Sequence, residues 1–350
     1  MITITEGNLL KADAEALVNT VNCVGHMGKG IALQFKKAYP GNYEAYRRAC
    51  DAGEVLPGRM FIFETGDMFN PRYIINFPTK RHWRGKSRYE DIEHGLQALA
   101  EDIPRLGIRS VALPPLGCGL GGLNWDRVRK MIETAFSEIP EVSVLLFPPS
   151  KTPDAQDMPV RTKRPHLTVP RALFIEMMAQ YARLAYRLTL LEVQKLAYFL
   201  QEAGEPLRLK YEEGHYGPYA HNLNKVLEVL EGHFISGYGD TQKPDVEISL
   251  LPGAVEEAGE FLQDHEDSRR RLSAVADLID GFETPYGMEL LSSLHWVATH
   301  HDPVADNEEE AIAVVRGWNS RKRDLFQEKH LRMGWECLRA AGWLRGLGDE

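Results

Sequence analysis

The rhythm of apolar and polar positions changes near residue 150. Before that point, short apolar runs alternate with amphipathic stretches. Met1–Thr5 alternates apolar and polar residues, as a strand does. Ala16–Asn19 reads as a buried strand, and Gly30–Tyr39 then carries apolar residues at helical spacing. Met60–Glu64 and Tyr73–Phe77 are further strand candidates. Tyr89–Leu106 sets Leu96, Leu99 and Ile103 on one helical face. Ser110–Leu113 is a strand, Asp126–Ile139 a helix and Val142–Phe147 a last strand. This alternation predicts a layered α/β domain over residues 1–150, with its ligand at the C-terminal ends of the strands.

Residues 151–169 are rich in Pro, Lys and Asp and show no period, which predicts a linker or an extended arm. The remainder, 170–350, reads as a mostly α-helical second domain. Its helix candidates are Pro170–Arg187, Thr189–Ala203, His221–Gly232, Ser268–Gly281, Gly287–His300, Glu308–Gly317 and Arg321–Ala341. Val246–Leu250 is a short strand. Neither an internal repeat nor a low-complexity tract is evident.

A length of 350 residues fits two domains. No run of about 18 apolar residues is found, so no membrane span is expected. The amino-terminal segment lacks the basic-then-apolar form of a signal peptide. Cys23, Cys50, Cys118 and Cys337 are scattered, with no C-x-x-C. Zinc and disulfides are therefore not expected, and a reduced, cytoplasmic setting fits best. Nor does any motif call for a cofactor.

The net charge of −9 hides an asymmetry. Residues 1–150 hold 18 Lys and Arg against 17 Asp and Glu, whereas residues 171–350 hold 19 against 31. The acidity thus belongs to the second half. It is either a solvated surface or a face complementary to a basic partner.

Two glycine-rich loops carry the chemistry. The first follows Ala16–Asn19 and runs Asn22-Cys23-Val24-Gly25-His26-Met27-Gly28-Lys29-Gly30-Ile31-Ala32. The second follows Ser110–Leu113 and runs Leu116-Gly117-Cys118-Gly119-Leu120-Gly121-Gly122. Glycine lets backbone N–H groups approach an anion closely, and two such loops at one sheet edge suit a diphosphate. Neither loop is a Walker A motif or a G-x-G-x-x-G dinucleotide fingerprint.

With these loops the chain resembles the macrodomain family, whose members bind ADP-ribose. The resemblance covers about residues 1–150 and implies a three-layer α/β/α fold with a mixed sheet. It implies that Asn8 and Leu9 lie near the adenine, and that Phe147 packs on it. Gly28, Gly30 and Ile31 would hold the distal ribose. Gly117, Cys118, Gly119, Leu120 and Gly121 would hold the diphosphate. Met27–Lys36, with Lys80 after a strand, is similar to the branch that cleaves terminal ADP-ribose with a lysine, and more narrowly to the DNA ADP-ribosyl glycohydrolase antitoxins. That resemblance implies removal of ADP-ribose from thymidine in single-stranded DNA. It also implies opposition to a DNA ADP-ribosyltransferase toxin as partner. One departure stands out: related lysine-dependent hydrolases carry an Asp in the second loop, where this chain has Gly121. Gln194–Phe199 and Tyr216–Tyr219 resemble the Panacea antitoxin domain, which implies neutralisation of a toxin by binding.

Lys80 and Asn22 are the candidate catalytic residues. A neutral Lys80 could act as nucleophile; a protonated one could help the base leave or hold a phosphate. Burial against Trp83 and Phe77, or the charges of Arg81 and Arg84, would lower its pKa. Asn22 could bind ribose hydroxyls or position water, or it could close the loop as an Asx-turn. The basic, aromatic stretch 80–89 offers Arg81, Trp83 and Arg84 as contacts to unpaired DNA. His26 and His82 are possible acid–base groups. His295, His300 and His301 lack a metal-binding pattern. Two other readings remain open: a non-enzymatic ADP-ribose reader, and a hydrolase of ADP-ribosylated protein.

Overall fold

In the computed structural model the described residues are 1–149, 158–182, 188–239 and 246–344. The chain divides into two compact units, the first being Met1–Arg164 and the second opening at Pro165. In the first unit the elements are β1 (Ile2–Ile4), β2 (Ala16–Asn22), α1 (Gly30–Ala38), α2 (Pro40–Asp51) and β3 (Phe61–Glu64), then β4 (Tyr73–Lys80), α3 (Tyr89–Arg105), β5 (Ser110–Leu113), α4 (Trp125–Ser137) and β6 (Ser143–Leu146). The strands form one sheet in the order β1-β6-β5-β2-β4-β3. Every pairing is parallel except that of β3 with β4.

The period-two alternation of the strands sorts the core into layers. Ala16, Val18, Ile75, Phe77, Val111, Leu113, Val144 and Leu146 join Ile92, Leu96 and Leu99 of α3 and Val128, Ile132 and Phe136 of α4 in one cluster. Their neighbours Leu17, Ile74 and Ala112 point the other way, onto Phe35 and Ala38 of α1. Helices thus cover both faces of a mixed sheet, the three-layer arrangement expected. β2 lies at the centre of the sheet and is buried almost throughout, as a parallel strand covered on both faces must be. Within it the buried Asn19 donates to Asn76 of β4 at 3.0 Å, and Asn76 donates to Asn42 of α2 at 2.7 Å.

Three corrections fall in this unit. β2 runs on to Asn22 instead of stopping at Asn19, and β4 to Lys80 instead of Phe77. Helix α2 was not expected; it opens on Pro40 and Gly41 and buries only Asn42, Tyr46 and Ala49, too thin an apolar stripe to register as a period.

Of the segment expected as a linker, residues 151–157 lie outside the described residues. Residues 158–164 pack on the first unit: Met158 lies against the cluster of Leu9, Phe35 and Phe147, and the Arg161 amide donates to the Lys37 carbonyl at 2.8 Å.

The second unit has α5 (Val169–Ala182), α6 (Leu190–Glu202), β7 (Tyr211–Gly214), β8 (Gly217–Ala220), α7 (Leu223–Leu230), β9 (Ile235–Ser236) and β10 (Ser249–Leu250). Then come α8 (Ala254–Leu262), α9 (Glu266–Ile279), α10 (Pro285–Thr299), α11 (Glu308–Gly317), α12 (Ser320–Leu325) and α13 (Glu328–Ala340). The end of the helix expected over Pro170–Arg187 lies outside the described residues. The hairpin of β7 and β8, and helix α8, were not expected. Conversely, the single helix expected over Arg321–Ala341 is two, because Phe326 adopts an extended backbone and turns its ring into the core.

The Gln194–Phe199 stretch ties α6 to the hairpin. Gln194 both donates to and accepts from the Ala220 backbone, at 3.2 and 3.0 Å, and buried Lys195 donates to the Pro218 carbonyl at 2.6 Å. Beside it, Lys322 is fully buried and donates to Glu289 at 2.8 Å and Ser293 at 2.9 Å. Buried His295, pushed down to about 4 by desolvation, lies 2.7 Å from the Tyr198 hydroxyl. Half-exposed His300 is instead raised by its hydrogen bond to Glu202.

Candidate active site at the sheet edge

Because β2, β4, β5 and β6 are parallel, their C-terminal ends open on one edge. Along that edge, in spatial order, lie Phe147 after β6, the second glycine loop after β5, the first after β2, and Lys80 closing β4. Strands lie about 4.8 Å apart, so the row spans about 14 Å.

At one end, Leu9 and Phe147 share a buried cluster against which Ile31 and Met158 pack. Asn8 caps a short 3-10 helix, accepting from the Leu10 amide at 3.0 Å, and its own amide reaches the Met158 sulfur at 3.5 Å. Met158 had no sequence signal, because the stretch around it is aperiodic and charged.

In the middle the two loops approach one another, with Leu120 lying within van der Waals contact of where a side chain on Gly30 would begin. The second loop turns through left-handed backbone at Gly117 (φ +69°) and Gly122 (φ +79°). Gly121 between them has no room for a side chain. A Cβ there would meet the Gly117 carbonyl oxygen at 2.2 Å and Ser87 Oγ at 2.2 Å. The absence of the Asp is therefore built into the path of the loop. Cys118 is half-buried, bonded to the Leu116 carbonyl and pushed up to about 11 by desolvation; Cys23 behaves likewise on the Lys80 carbonyl. Neither is an activated thiol.

At the other end the strand register sets Asn22 opposite Lys80, with a bulge just before it. Asn22 is committed to its own loop. Its side-chain oxygen accepts from the amides of Val24 (3.0 Å) and His26 (3.3 Å), its nitrogen donates to the His26 carbonyl (2.5 Å), and Tyr46 donates to its backbone carbonyl (2.5 Å). This geometry favours the Asx-turn reading over a catalytic one, leaving one amide hydrogen for anything else.

Lys80 is half-buried and donates to the Leu120 carbonyl at 2.7 Å, so it touches the diphosphate-type loop directly. Burial lowers its pKa below the usual lysine range, and the charge of Lys86 lowers it further. The expected partners Arg81 and Arg84 are otherwise engaged. Arg81 pairs with Asp91 at 3.0 Å, and Arg84 stacks on Trp83 at 4.6 Å. His82 and His26 flank the same indole, with ring centroids at 5.4 and 5.5 Å. Trp83, three residues after Lys80, is thus a half-exposed ring set among His26, His82 and Arg84.

Three-layer architecture, mixed sheet and glycine loops define a macrodomain, and the family described as Macro domain matches residues 18–132. Over the whole length, the chain is 46% identical to the DNA ADP-ribosyl glycohydrolase of Thermus aquaticus, across 99% of this chain and 95% of that protein. The chain belongs to the DNA ADP-ribosyl glycohydrolase family. It is also 31% identical, over 45% of each chain, to a DNA ADP-ribosyl transferase-DNA ADP-ribosyl glycohydrolase fusion protein of Thermosipho africanus. Among solved structures, the macrodomain of Mycobacterium tuberculosis DarG matches with 55% identity and a TM-score of 0.43, covering 43% of this chain and 99% of that one.

Proposed function

We propose that this chain is a two-part antitoxin. Its macrodomain removes ADP-ribose from thymidine in single-stranded DNA, and its acidic second unit binds the DNA ADP-ribosyltransferase toxin that installs the group. The observation that carries the reading is the contact of a pKa-lowered lysine with a glycine loop, at one end of an open, 14 Å row of ligand-sized loops.

The glycosidic C–N bond breaks with positive charge developing on the distal ribose. Adenine is taken at the Leu9–Phe147 end, the diphosphate by the amides of Gly119–Gly121, since that of Cys118 donates to the Pro115 carbonyl at 3.0 Å, and the distal ribose against the first loop, under Lys80. A neutral Lys80 attacks the anomeric carbon and displaces the thymine base, which takes up a proton, and water then hydrolyses the lysine–ribose bond to free ADP-ribose. A protonated Lys80 instead gives the departing base its proton while water adds to the anomeric carbon. Both roles profit from a lowered pKa, which brings the two protonation states closer together near neutral pH. The Trp83 platform gives a neighbouring unpaired base a ring to stack on, with Arg84 adding charge. The relative that joins a transferase to a glycohydrolase in one chain supports the pairing with a toxin. The charge imbalance of residues 171–350 suits a basic, DNA-binding partner.

The test is to offer the full chain an oligonucleotide carrying ADP-ribose on thymidine and, separately, an ADP-ribosylated protein. Release from the oligonucleotide is expected. Release from the protein alone would move the substrate class. Toxin binding is tested with the Lys80→Ala chain, which should still block DNA modification by the toxin; loss of protection would mean that hydrolysis alone neutralises it.

A further inference from the structure

The segment from Lys80 to Ser87 grips three successive residues of the second glycine loop. Lys80 Nζ donates to the Leu120 carbonyl at 2.7 Å, and the Ser87 amide donates to the Gly121 carbonyl at 3.1 Å. The Lys86 side chain lies over Gly122, its Nζ 3.5 Å from where a Cβ would stand. Two lysine ammonium groups therefore converge on one short loop from the same side of the chain, close enough for the charge of Lys86 to act on Lys80.

The cations of this segment differ in what holds them. Arg81 is neutralised by Asp91, and Arg84 lies on the Trp83 ring. Lys86 is exposed, and among the described residues no carboxylate pairs with it. An exposed cation lying over Gly122 at the rim of the glycine loop, three residues along the chain from Trp83, has the position to meet a second phosphate: one that belongs to the polymer and not to ADP-ribose.

Resting on the function proposed above, we propose that Lys86 contacts the DNA backbone phosphate adjacent to the modified nucleotide, and so makes the enzyme prefer a polynucleotide over a free nucleoside. Through that phosphate Lys86 acts on binding of the strand, in addition to the effect of its charge on Lys80, whereas Lys80 acts on the bond. The diphosphate of ADP-ribose is the other phosphate within this chemistry, and the two sources separate by substrate.

The experiment measures ADP-ribose release from a modified single-stranded oligonucleotide and from ADP-ribosylated thymidine nucleoside, using the full chain as wild type, Lys86→Gln and Lys86→Arg. A single-strand phosphate contact contributes about 0.7 to the log–log salt slope, or about fivefold in affinity at 0.1 M salt. Lys86→Gln should therefore raise KM for the oligonucleotide about fivefold beyond any change for the nucleoside, and flatten the salt dependence by that slope. Lys86→Arg should restore both. An equal loss on both substrates would overturn the assignment, because it would put Lys86 on the diphosphate or on Lys80 alone. A wild type that releases nothing from either substrate would overturn the hydrolase reading together with this one.

Discussion

Alanine at position 121 would place its methyl carbon 2.2 Å from the Gly117 carbonyl oxygen and 2.2 Å from Ser87 Oγ. Side-chain carbons essentially never come within 3.0 Å of such atoms, so the loop must give by at least about 0.8 Å. The Ser87 hydroxyl can rotate away; the backbone carbonyl can move only with the loop. Overpacking of this kind costs about 1–3 kcal/mol, or about 2–12 °C in the melting of a domain of this size. The functional cost is larger. The displaced residues include Leu120, whose carbonyl holds Lys80, and a misplacement of about 1 Å at reacting groups costs about a hundredfold in rate. Gly121→Ala should therefore lower ADP-ribose release from modified oligonucleotide about a hundredfold, with only the modest thermal loss given above. Ser87→Ala in the same chain removes one of the two contacts and should recover only part. The assays are release kinetics, calorimetric ADP-ribose binding and differential scanning calorimetry. Wild-type release and melting in Gly121→Ala would refute the loop path and the account of the missing Asp.

Two further outcomes follow from the same geometry. Lys80 has its pKa lowered by burial and then by Lys86, so its neutral fraction grows as pH rises through a value below 10.5; for a nucleophilic Lys80, kcat/KM rises along that limb, and Lys86→Gln moves the limb to higher pH, whereas a limb that does not move would contradict the coupling. In the second unit, Glu289→Ala leaves buried Lys322 without its carboxylate and should cost about 3–5 kcal/mol. Calorimetry should show the second unit melting earlier while oligonucleotide hydrolysis persists; an unchanged melting profile would contradict the buried pair.

What the sequence made legible was whatever had a period or a glycine signature. The strands of the first unit and helices α1, α3 and α4 announce themselves by apolar spacing, and both glycine loops fall at strand ends because parallel strands must open onto one edge. Helix α2 was missed because its buried face is mainly Asn42, Tyr46 and Ala49. Its role is nevertheless direct: Tyr46 holds the Asn22 carbonyl, and Asn42 holds Asn76. The β7–β8 hairpin was missed because Tyr211–Ala220 is short, polar and glycine-interrupted; its pairing is specified by Gln194 and Lys195 from a different element. In the candidate site, residue type pointed to Lys80, but three facts needed three dimensions. Asn22 spends its amide on its own loop, Gly121 excludes a side chain because Ser87 lies behind it, and Met158 reaches Asn8 across 150 residues of chain. Arg81 and Arg84 looked alike in sequence; only packing separates the one that Asp91 neutralises from the one that stacks on Trp83.

Everything proposed above turns on Lys80 as the catalytic residue of a DNA-directed ADP-ribosyl hydrolase. The most direct test compares wild type and Lys80→Ala for release of ADP-ribose from a single-stranded oligonucleotide modified on thymidine, with calorimetric ADP-ribose binding measured alongside. Release by wild type is expected, with a loss of at least a hundredfold (about 2.7 kcal/mol) in the variant and binding that survives. Equal release by both proteins would contradict that role for Lys80.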